Sequence, residues 1–254
     1  MSRQLRADQL LVEKTLVRSR TRAQRLIRNA RVQLVEGERL RTLSRPGEKL
    51  PFDSRFVLIE DPEERYVSRA GLKLEALLSA EPQALSDLVV LDVGQSTGGF
   101  TDCALRFGAR RVIGIEVGHG QLDPTLREDA RVAVLEGVNA RNLPDERLIA
   151  LAPEGLGAAV MDVSFISQTL ILPELARLLA PGARLLSLVK PQFELSPEQI
   201  GAGGLVRDPA FYRQVETRLR DCCHDCGFAV ERFIESPITG GDGNREFLLA
   251  AVRQ

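Results

Sequence analysis

Two kinds of hydrophobic spacing divide the chain. Up to about residue 60, two amphipathic helical patterns precede a few short apolar runs. Residues 8–16 carry Leu10, Leu11, Val12 and Leu16 and predict a first helix. Residues 19–29 predict a second, with Ala23, Leu26 and Ile27 on one face and Ser19 as its N-cap. Its other face carries Arg20, Arg22, Arg25 and Arg28. Residues 32–35, Leu40 and residues 56–59 read as short strands, with turns at Glu36-Gly37 and Pro46-Gly47. Residues 61–64 form a polar turn and mark a boundary. Residues 66–78 predict a helix capped by Ser68, with Lys73 on its first turns; a lysine on such a helix is ordinarily just solvated.

From residue 88 onward, apolar runs alternate with helical patterns. Strands are expected at 88–92, 112–116, 132–135, 158–162, 184–189, 228–234 and 246–252. Helices are expected near 100–107, 121–127, 145–151, 168–179 and 209–226. The alternation predicts a mostly parallel sheet with helices on both faces. Only residues 235–245 join the last two strands, too few for a helical crossover, so these should pair antiparallel. The expected organisation is a small α+β module over 1–62, a linker and first helix over 63–82, and an α/β domain over 83–254.

The α/β region opens with VVLDVGQSTGGF, residues 89–100. A short apolar run ends in Asp92, a turn follows with Gly94, Gly98 and Gly99, and a helix starts at Phe100. In doubly wound folds ligands bind at the carboxyl ends of the strands. Ser96 stands where a dinucleotide GxGxxG turn has its second glycine, the one that admits a pyrophosphate. S-adenosylmethionine, a nucleoside with a sulfonium and no pyrophosphate, has less need of that glycine. On loop chemistry alone another nucleotide remains open. The candidate contacts from this stretch are Asp92, Gly94, Ser96, Thr97, Gly98, Gly99 and Phe100.

Later strand ends carry polar residues. Glu116 is placed to accept ribose hydroxyls, and Asn139 and Ala140 to flank an adenine. Asp162, a further candidate cofactor contact, ends the fourth strand, Lys190 the fifth, and Glu246 begins the last. A carboxylate and an ammonium on adjacent strand ends would share the mouth of one cleft. A structural salt bridge is the ordinary alternative.

Composition narrows the class. The 254 residues are 44% hydrophobic and 27% charged with a net charge of −1, as expected of a soluble chain of one or two domains. No apolar stretch approaches the roughly 18–20 residues of a membrane span, and the N-terminus lacks an apolar signal core. Four cysteines do not make a disulfide scaffold, so the expected location is the reducing cytoplasm. Cys222, Cys223, His224 and Cys226 suggest zinc only weakly, because no second CxxC or histidine pair accompanies them. No metal is expected.

The charge is unevenly spread. Residues 1–50 hold 13 Lys/Arg against 5 Asp/Glu, and the other 204 hold 21 against 30. A basic first fifth suggests a polyanionic partner; a solvated basic helix is the alternative. Arginine supplies 30 of the 34 basic residues, leaving only Lys14, Lys49, Lys73 and Lys190 as lysines. Lysine is a compact charge whose pKa can shift, whereas arginine stays protonated.

The segment LRADQLLVEKTLVRSRTRAQRLIRNARVQL resembles the small RNA-binding domain of the ribosomal protein S-four type. Arg6, Asp8, Leu11-Val12, Ser19-Arg20, Ala23, Ile27 and Val32 carry the match. An extra alanine lies between Arg6 and Asp8, and Ala30 replaces a usual glycine. The resemblance implies RNA-backbone contacts from Arg6, Arg18, Ser19, Arg20, Arg22, Arg25 and Arg28.

Nearly end to end, the chain resembles the TlyA family, named as hemolysins but similar to FtsJ-type ribose 2′-O-methyltransferases. The blocks are that N-terminal segment, VSRAGLKL, LDVGQSTGGFTD, VGHGQL, MDVSFIS, LVKPQFE and GNREFL. Ala70, Leu72, Gln95, Glu116 and His119 depart from the usual residues. The resemblance implies a Rossmann-like seven-stranded S-adenosylmethionine-dependent methyltransferase sheet with a small N-terminal α+β RNA-binding domain. Its cofactor would be S-adenosylmethionine and its partner ribosomal RNA or ribosomal subunits. A Lys-Asp-Lys-Glu set carries over onto Lys73, Asp162, Lys190 and Glu246. Lys190, with a lowered pKa, would act as base or steer the attacking oxygen; Lys73 would add positive charge; Asp162 and Glu246 would position the ammonium groups. Three alternatives stay open: a membrane-active cytolysin, an RNA-binding protein with an inactive methyltransferase fold, and a base-methylating enzyme.

Overall fold

The computed structural model describes residues 3–17, 19–61, 64–240 and 243–254, with Ala202 described by its backbone alone. The chain divides into two compact units, Met1–Arg65 and Tyr66–Gln254.

The first unit contains β1 (Gln4–Arg6), α1 (Ala7–Glu13), α2 (Arg20–Arg28), β2 (Val32–Glu36), β3 (Arg39–Thr42), β4 (Lys49–Pro51) and β5 (Arg55–Leu58). Strands β3-β2-β5 form an antiparallel sheet, and β1 pairs antiparallel with β4. The apolar faces of α1 and α2 supply Leu10, Leu11, Ala23, Leu26 and Ile27 to one core with Val32, Leu34, Leu43 and Leu50. The Ser19 hydroxyl caps α2 as expected, accepting the Arg22 N–H at 3.3 Å. Helix α1 stops at Glu13 rather than Leu16, because the chain turns through Thr15 at φ 56°. Strands β1 and β4, three residues each, are too short to show a period.

The second unit opens with α3 (Ala70–Leu78), then β6 (Val89–Val93), α4 (Gly99–Arg106), β7 (Arg111–Glu116), α5 (Pro124–Arg127), β8 (Val132–Glu136), α6 (Asp145–Leu151) and β9 (Leu156–Met161). It continues with α7 (Leu172–Leu178), β10 (Leu179–Val189), α8 (Ala210–Asp225), β11 (Phe228–Glu235) and β12 (Phe247–Arg253). The seven strands run in the order β11-β12-β10-β9-β6-β7-β8. All pairs are parallel except those of β12, which lies antiparallel between β10 and β11. The expected C-terminal hairpin is thus present, with its last strand inserted into the sheet. The chain reverses direction across the sheet between β6 and β9, where a crevice opens at the strand ends.

Alternate residues of the central strands feed two cores. Val89, Leu91 and Val93 pack on one face with Ile113, Ile115 and Met161. Val90 packs on the other with Val112, Val160, Leu74, Leu78 and Phe100. Burial on both faces explains why these strands read as continuous apolar runs.

Three further expectations change. The helix expected over 168–179 is a 3₁₀ turn (Gln168–Leu170) followed by α7, with Pro173 in its first turn, and Leu179 already belongs to β10. The helix expected over 121–127 shrinks to α5, capped by Asp123. Ser68 does not cap α3: the helix starts from Arg69 without a side-chain cap, and the Ser68 hydroxyl packs on Gly99 instead. A Cβ at Gly99 would lie 2.3 Å from Ser68 Oγ and 3.0 Å from Ala70 Cβ, so α3 and α4 meet across bare backbone. Helix α3 also packs on β10 and β12, and its apolar residues join the second unit's core.

Among the described residues no helix is long and apolar enough to cross a membrane. None of their His, Cys, Asp and Glu side chains gather in threes as metal ligands.

Candidate active site

The crevice between β6 and β9 depends on one glycine. Gly94 follows β6 at φ +83°, and a Cβ there would lie 2.5 Å from the Asp162 carbonyl oxygen. The Asp162 N–H donates to the Val93 carbonyl at 3.0 Å, which extends the β6–β9 ladder to the lip. The cleft above has a volume of about 410 Å³. Gly94, Ser96, Glu116, Asn139, Ala140 and Asp162, all expected cofactor contacts, line it together with the apolar Ile115, Val138 and Ile166.

Glu116, at the end of β7, is fixed by two backbone donors. Its carboxylate accepts the Ser96 N–H at 2.8 Å and the Gly118 N–H at 2.8 Å. Asn139 accepts the Arg141 N–H at 3.0 Å in a local turn, which sets the wall bearing Ala140. An acceptor pair on one side and apolar walls on the other suit the sugar and base of a nucleoside. The residues therefore fit S-adenosylmethionine.

The remaining residues of the glycine turn have other tasks. Asp92 is fully buried beneath the turn and accepts the Thr101 hydroxyl at 2.6 Å. Gln95 donates to the same hydroxyl at 2.9 Å and fills the space over Gly114, where a Cβ would lie 2.0 Å from its side chain. Burial pushes the Asp92 carboxyl up to about 7, and the neighbouring Asp162 adds to the rise. Gly98 starts α4 at φ +93°, against Leu122 and Leu126; Gly99 and Phe100 are buried in the α3–α4 contact. Thr97 is exposed, and its carbonyl accepts the Asp123 N–H. Asp92, Thr97, Gly98, Gly99 and Phe100 thus shape the turn without lining the cleft. A Gly-rich string does not distinguish glycines that face a ligand from glycines that face a helix.

The four ionisable residues form two ion pairs. Lys190 Nζ lies 2.6 Å from Asp162 Oδ1 and donates to Ser164 Oγ at 2.9 Å. Lys73 Nζ donates to Glu246 Oε2 at 2.5 Å, with Lys73 9% and Glu246 3% exposed. Lys73 is therefore not a solvated helix lysine. It projects from α3 onto the residue that precedes β12, which sequence distance hides. Burial raises the Glu246 carboxyl, opposed by Lys73 and Lys190, with Asp162 acting the other way. The two pairs are thus electrostatically one cluster. Pairs so enclosed contribute little net stability over apolar replacements, so their presence points to chemistry.

Two cleft residues have no role in the expectations drawn from sequence. Ser164 binds Lys190. Phe165 is 90% exposed at the lip, holds a left-handed φ of 62°, and meets the Phe193 ring at a centroid distance of 4.9 Å. In sequence they are marked only as the residues that follow Asp162 within the block MDVSFIS.

In the first unit the arginines of the basic helix are partly occupied. Arg6 and Arg20 pair with the buried Asp8, which holds that carboxyl well below the usual range. Arg22 and Arg25 both reach Glu64 at 2.7 Å. Arg28 is exposed, and Ser19 spends its hydroxyl on the α2 cap. Arg18 lies outside the described residues.

Residues 66–253 match the FtsJ-like methyltransferase family. The chain is 44% identical over 248 residues to YqxC of Bacillus subtilis, named as an rRNA methyltransferase, covering 98% of this chain and 85% of that one. It is 36% identical over 253 residues to the 16S/23S rRNA (cytidine-2′-O)-methyltransferase TlyA of Mycobacterium tuberculosis, covering 98% and 90%. A solved structure from Streptococcus thermophilus, titled a hemolysin, superposes with a TM-score of 0.74 at 37% identity over 100% of this chain and 90% of that one. With its cleft, its two lysine–carboxylate pairs and these relatives, the chain belongs to the FtsJ-like methyltransferase family, in its TlyA type.

Proposed function

We propose that the protein is an RNA methyltransferase that moves a methyl group from S-adenosylmethionine to a ribose 2′-hydroxyl of ribosomal RNA. The observation that carries this reading is the cluster of Lys73–Glu246 and Lys190–Asp162 at a cleft suited to a nucleoside. S-adenosylmethionine, when bound, supplies a sulfonium methyl to an attacking oxygen. Glu116 would hold its sugar hydroxyls, Asn139 and Ala140 its base, and Gly94 and Ser96 the rest.

A ribose hydroxyl is a weak acid and must give up its proton to become a competent nucleophile. Lys190, anchored through Asp162 and Ser164, orients that oxygen and manages the proton. Lys73, anchored by Glu246, adds positive charge where the oxygen becomes negative. Phe165 offers an exposed ring beside this point, suited to stacking on a base drawn out of its helix. The first unit, with its excess of arginine, would hold RNA backbone.

Incubation with methyl-labelled S-adenosylmethionine and purified ribosomal subunits tests the reading. Label should enter ribosomal RNA with the wild type and be lost with Lys73→Ala. Label in protein alone, or none in RNA, would reject it.

A further inference from the structure

Glu194 is a carboxylate that this mechanism leaves unused, although it is 3% exposed and lies four residues beyond Lys190. Both of its oxygens are engaged. Oε2 accepts the Ser167 hydroxyl at 2.5 Å, and Oε1 accepts the Gln168 N–H at 2.8 Å. Ser167 and Gln168 lie just beyond Asp162 and Ser164 in the segment after β9. The Gln168 side chain then returns to β10, donating to the Leu188 carbonyl at 2.7 Å and accepting the Ser187 hydroxyl at 2.6 Å. Arg218, on α8, donates to the Glu194 carbonyl at 2.6 Å.

These bonds form a bracket between two strand ends. One end supplies Asp162 and Ser164, the other Lys190. Between Lys190 and Glu194 the chain makes one 3₁₀ turn, Pro191–Phe193, closed by the Phe193 N–H on the Lys190 carbonyl at 2.9 Å. The carboxylate is thus coupled to Lys190 through a short, stiff link. Burial raises its pKa against the opposing donors. The two donors offset that desolvation cost, so the carboxylate's place is set by the turn that it holds.

We propose that Glu194 is a positioning residue for methyl transfer: its carboxylate ties the Ser167–Gln168 turn to the end of β10 and so sets the spacing of Lys190 from Asp162 and Ser164. The inference rests on the methyltransferase reading above. Glu194 touches neither the cleft nor the ion pairs, so its loss acts on the chemical step and spares binding. Displacement of a reacting group by about 1 Å can cost on the order of 10²-fold in rate. Gln at 194 keeps one acceptor and presents one wrong-way donor, and Ser167→Ala removes one of the two donors.

The test compares the full-length wild type with Glu194→Gln, Glu194→Ala and Ser167→Ala. It measures kcat and KM for ribosomal RNA, the Kd for S-adenosylhomocysteine by calorimetry, and the thermal midpoint. The expected result is a kcat lower by about tenfold in Glu194→Gln and Ser167→Ala and about 10²-fold in Glu194→Ala. KM and Kd should stay within about twofold in all three. Unchanged kcat in Glu194→Gln and Ser167→Ala would overturn the proposal. So would a fall in kcat matched by equal weakening of KM and Kd, which marks a general structural role, or failure of all three variants to fold. A wild type that transfers no methyl group would instead overturn the underlying reading, which keeps the two failures distinct.

Discussion

Asp92 and Lys190 stand at the ends of β6 and β10, strands separated by β9, and burial gives them opposite work. Asp92 is sealed under the glycine turn with one oxygen on Thr101, the other having no hydrogen-bond partner among the described residues. Its raised folded-state value, about 7 against 3.8 for the free acid, means that the folded chain holds this proton more tightly. Its contribution to stability is therefore full below about pH 4, falls as the unfolded chain ionises first, and levels off above about 7. Thermal melts of wild type and Asp92→Asn between pH 5 and 8 should diverge in favour of the variant as pH rises; parallel curves would show that Asp92 does not carry this proton. Lys190 faces the cleft through Asp162 and Ser164, and the arginine-rich composition sharpens its test. If it served only as a fixed charge, arginine should replace it tolerably. A guanidinium is larger and cannot give up its proton at working pH. Lys190→Arg should therefore lose about 10²–10⁴-fold in turnover, nearly as much as Lys190→Ala, with cofactor affinity retained. Near-normal turnover in the arginine variant would reduce Lys190 to an electrostatic role. Both residues are visible in sequence as polar ends of apolar runs, but which one faces the ligand is not. That depends on the pleat, which turns Asp92 toward α4 and brings Asp162 to the lip.

Elements position these residues through contacts that leave little trace in sequence. Helix α3 delivers Lys73 to Glu246 because α3 and α4 approach across Gly99, with Ser68 and Ala70 against it. In Gly99→Ala the added methyl would meet Ser68 Oγ at 2.3 Å, which must rotate away, and Ala70 Cβ and the Gly71 N at 3.0 Å, which are fixed by the α3 backbone. Overpacking of this kind costs about 1–3 kcal/mol. Because Lys73 sits two residues beyond Gly71, methyl transfer should drop by more than the stability loss explains. Measurement of the midpoint and of turnover at a temperature where the variant is fully folded separates the two; full turnover in the folded variant would remove α3 placement from the mechanism. The strands were legible because apolar runs buried on both faces cannot be mistaken for solvent-facing turns. The sequence pattern was silent on the break at Ile171 and on the fate of Ser68. A serine before a helical pattern reads as a cap until a neighbouring helix claims its hydroxyl. The glycines of the turn look alike in sequence, and only their packed partners show that Gly98 lies against Leu122 and Leu126 and Gly99 against Ser68 and Ala70.

At the scale of the whole molecule the two units have separate cores, and on the proposed reading the first holds RNA while the second methylates it. The charge asymmetry that suggests this division is partly internal, since Asp8 and Glu64 already occupy four arginines of the first unit. Each arginine that contacts phosphate still steepens the salt dependence of binding, by roughly 0.7–0.9 in the log–log slope. A chain beginning at Tyr66 should bind S-adenosylhomocysteine like the full-length protein, yet bind ribosomal RNA more weakly and with a shallower salt slope. Equal RNA affinity and slope in the two chains would show that the first unit is not the anchor. Five of the seven blocks that carry the family resemblance adjoin the ends of β6, β7, β9, β10 and β12, where side-chain chemistry is fixed by backbone register. The central claim is that the methyl group goes to a ribose oxygen. It is tested most directly by the chemistry of the product, because a 2′-O-methyl group blocks alkaline cleavage of the adjacent phosphodiester. Ribosomal RNA methylated by this protein with labelled S-adenosylmethionine should yield, after complete alkaline hydrolysis, label in alkali-resistant dinucleotides. Label recovered wholly in mononucleotides would place the methyl group on a base and contradict the assignment of Lys73, Asp162, Lys190 and Glu246.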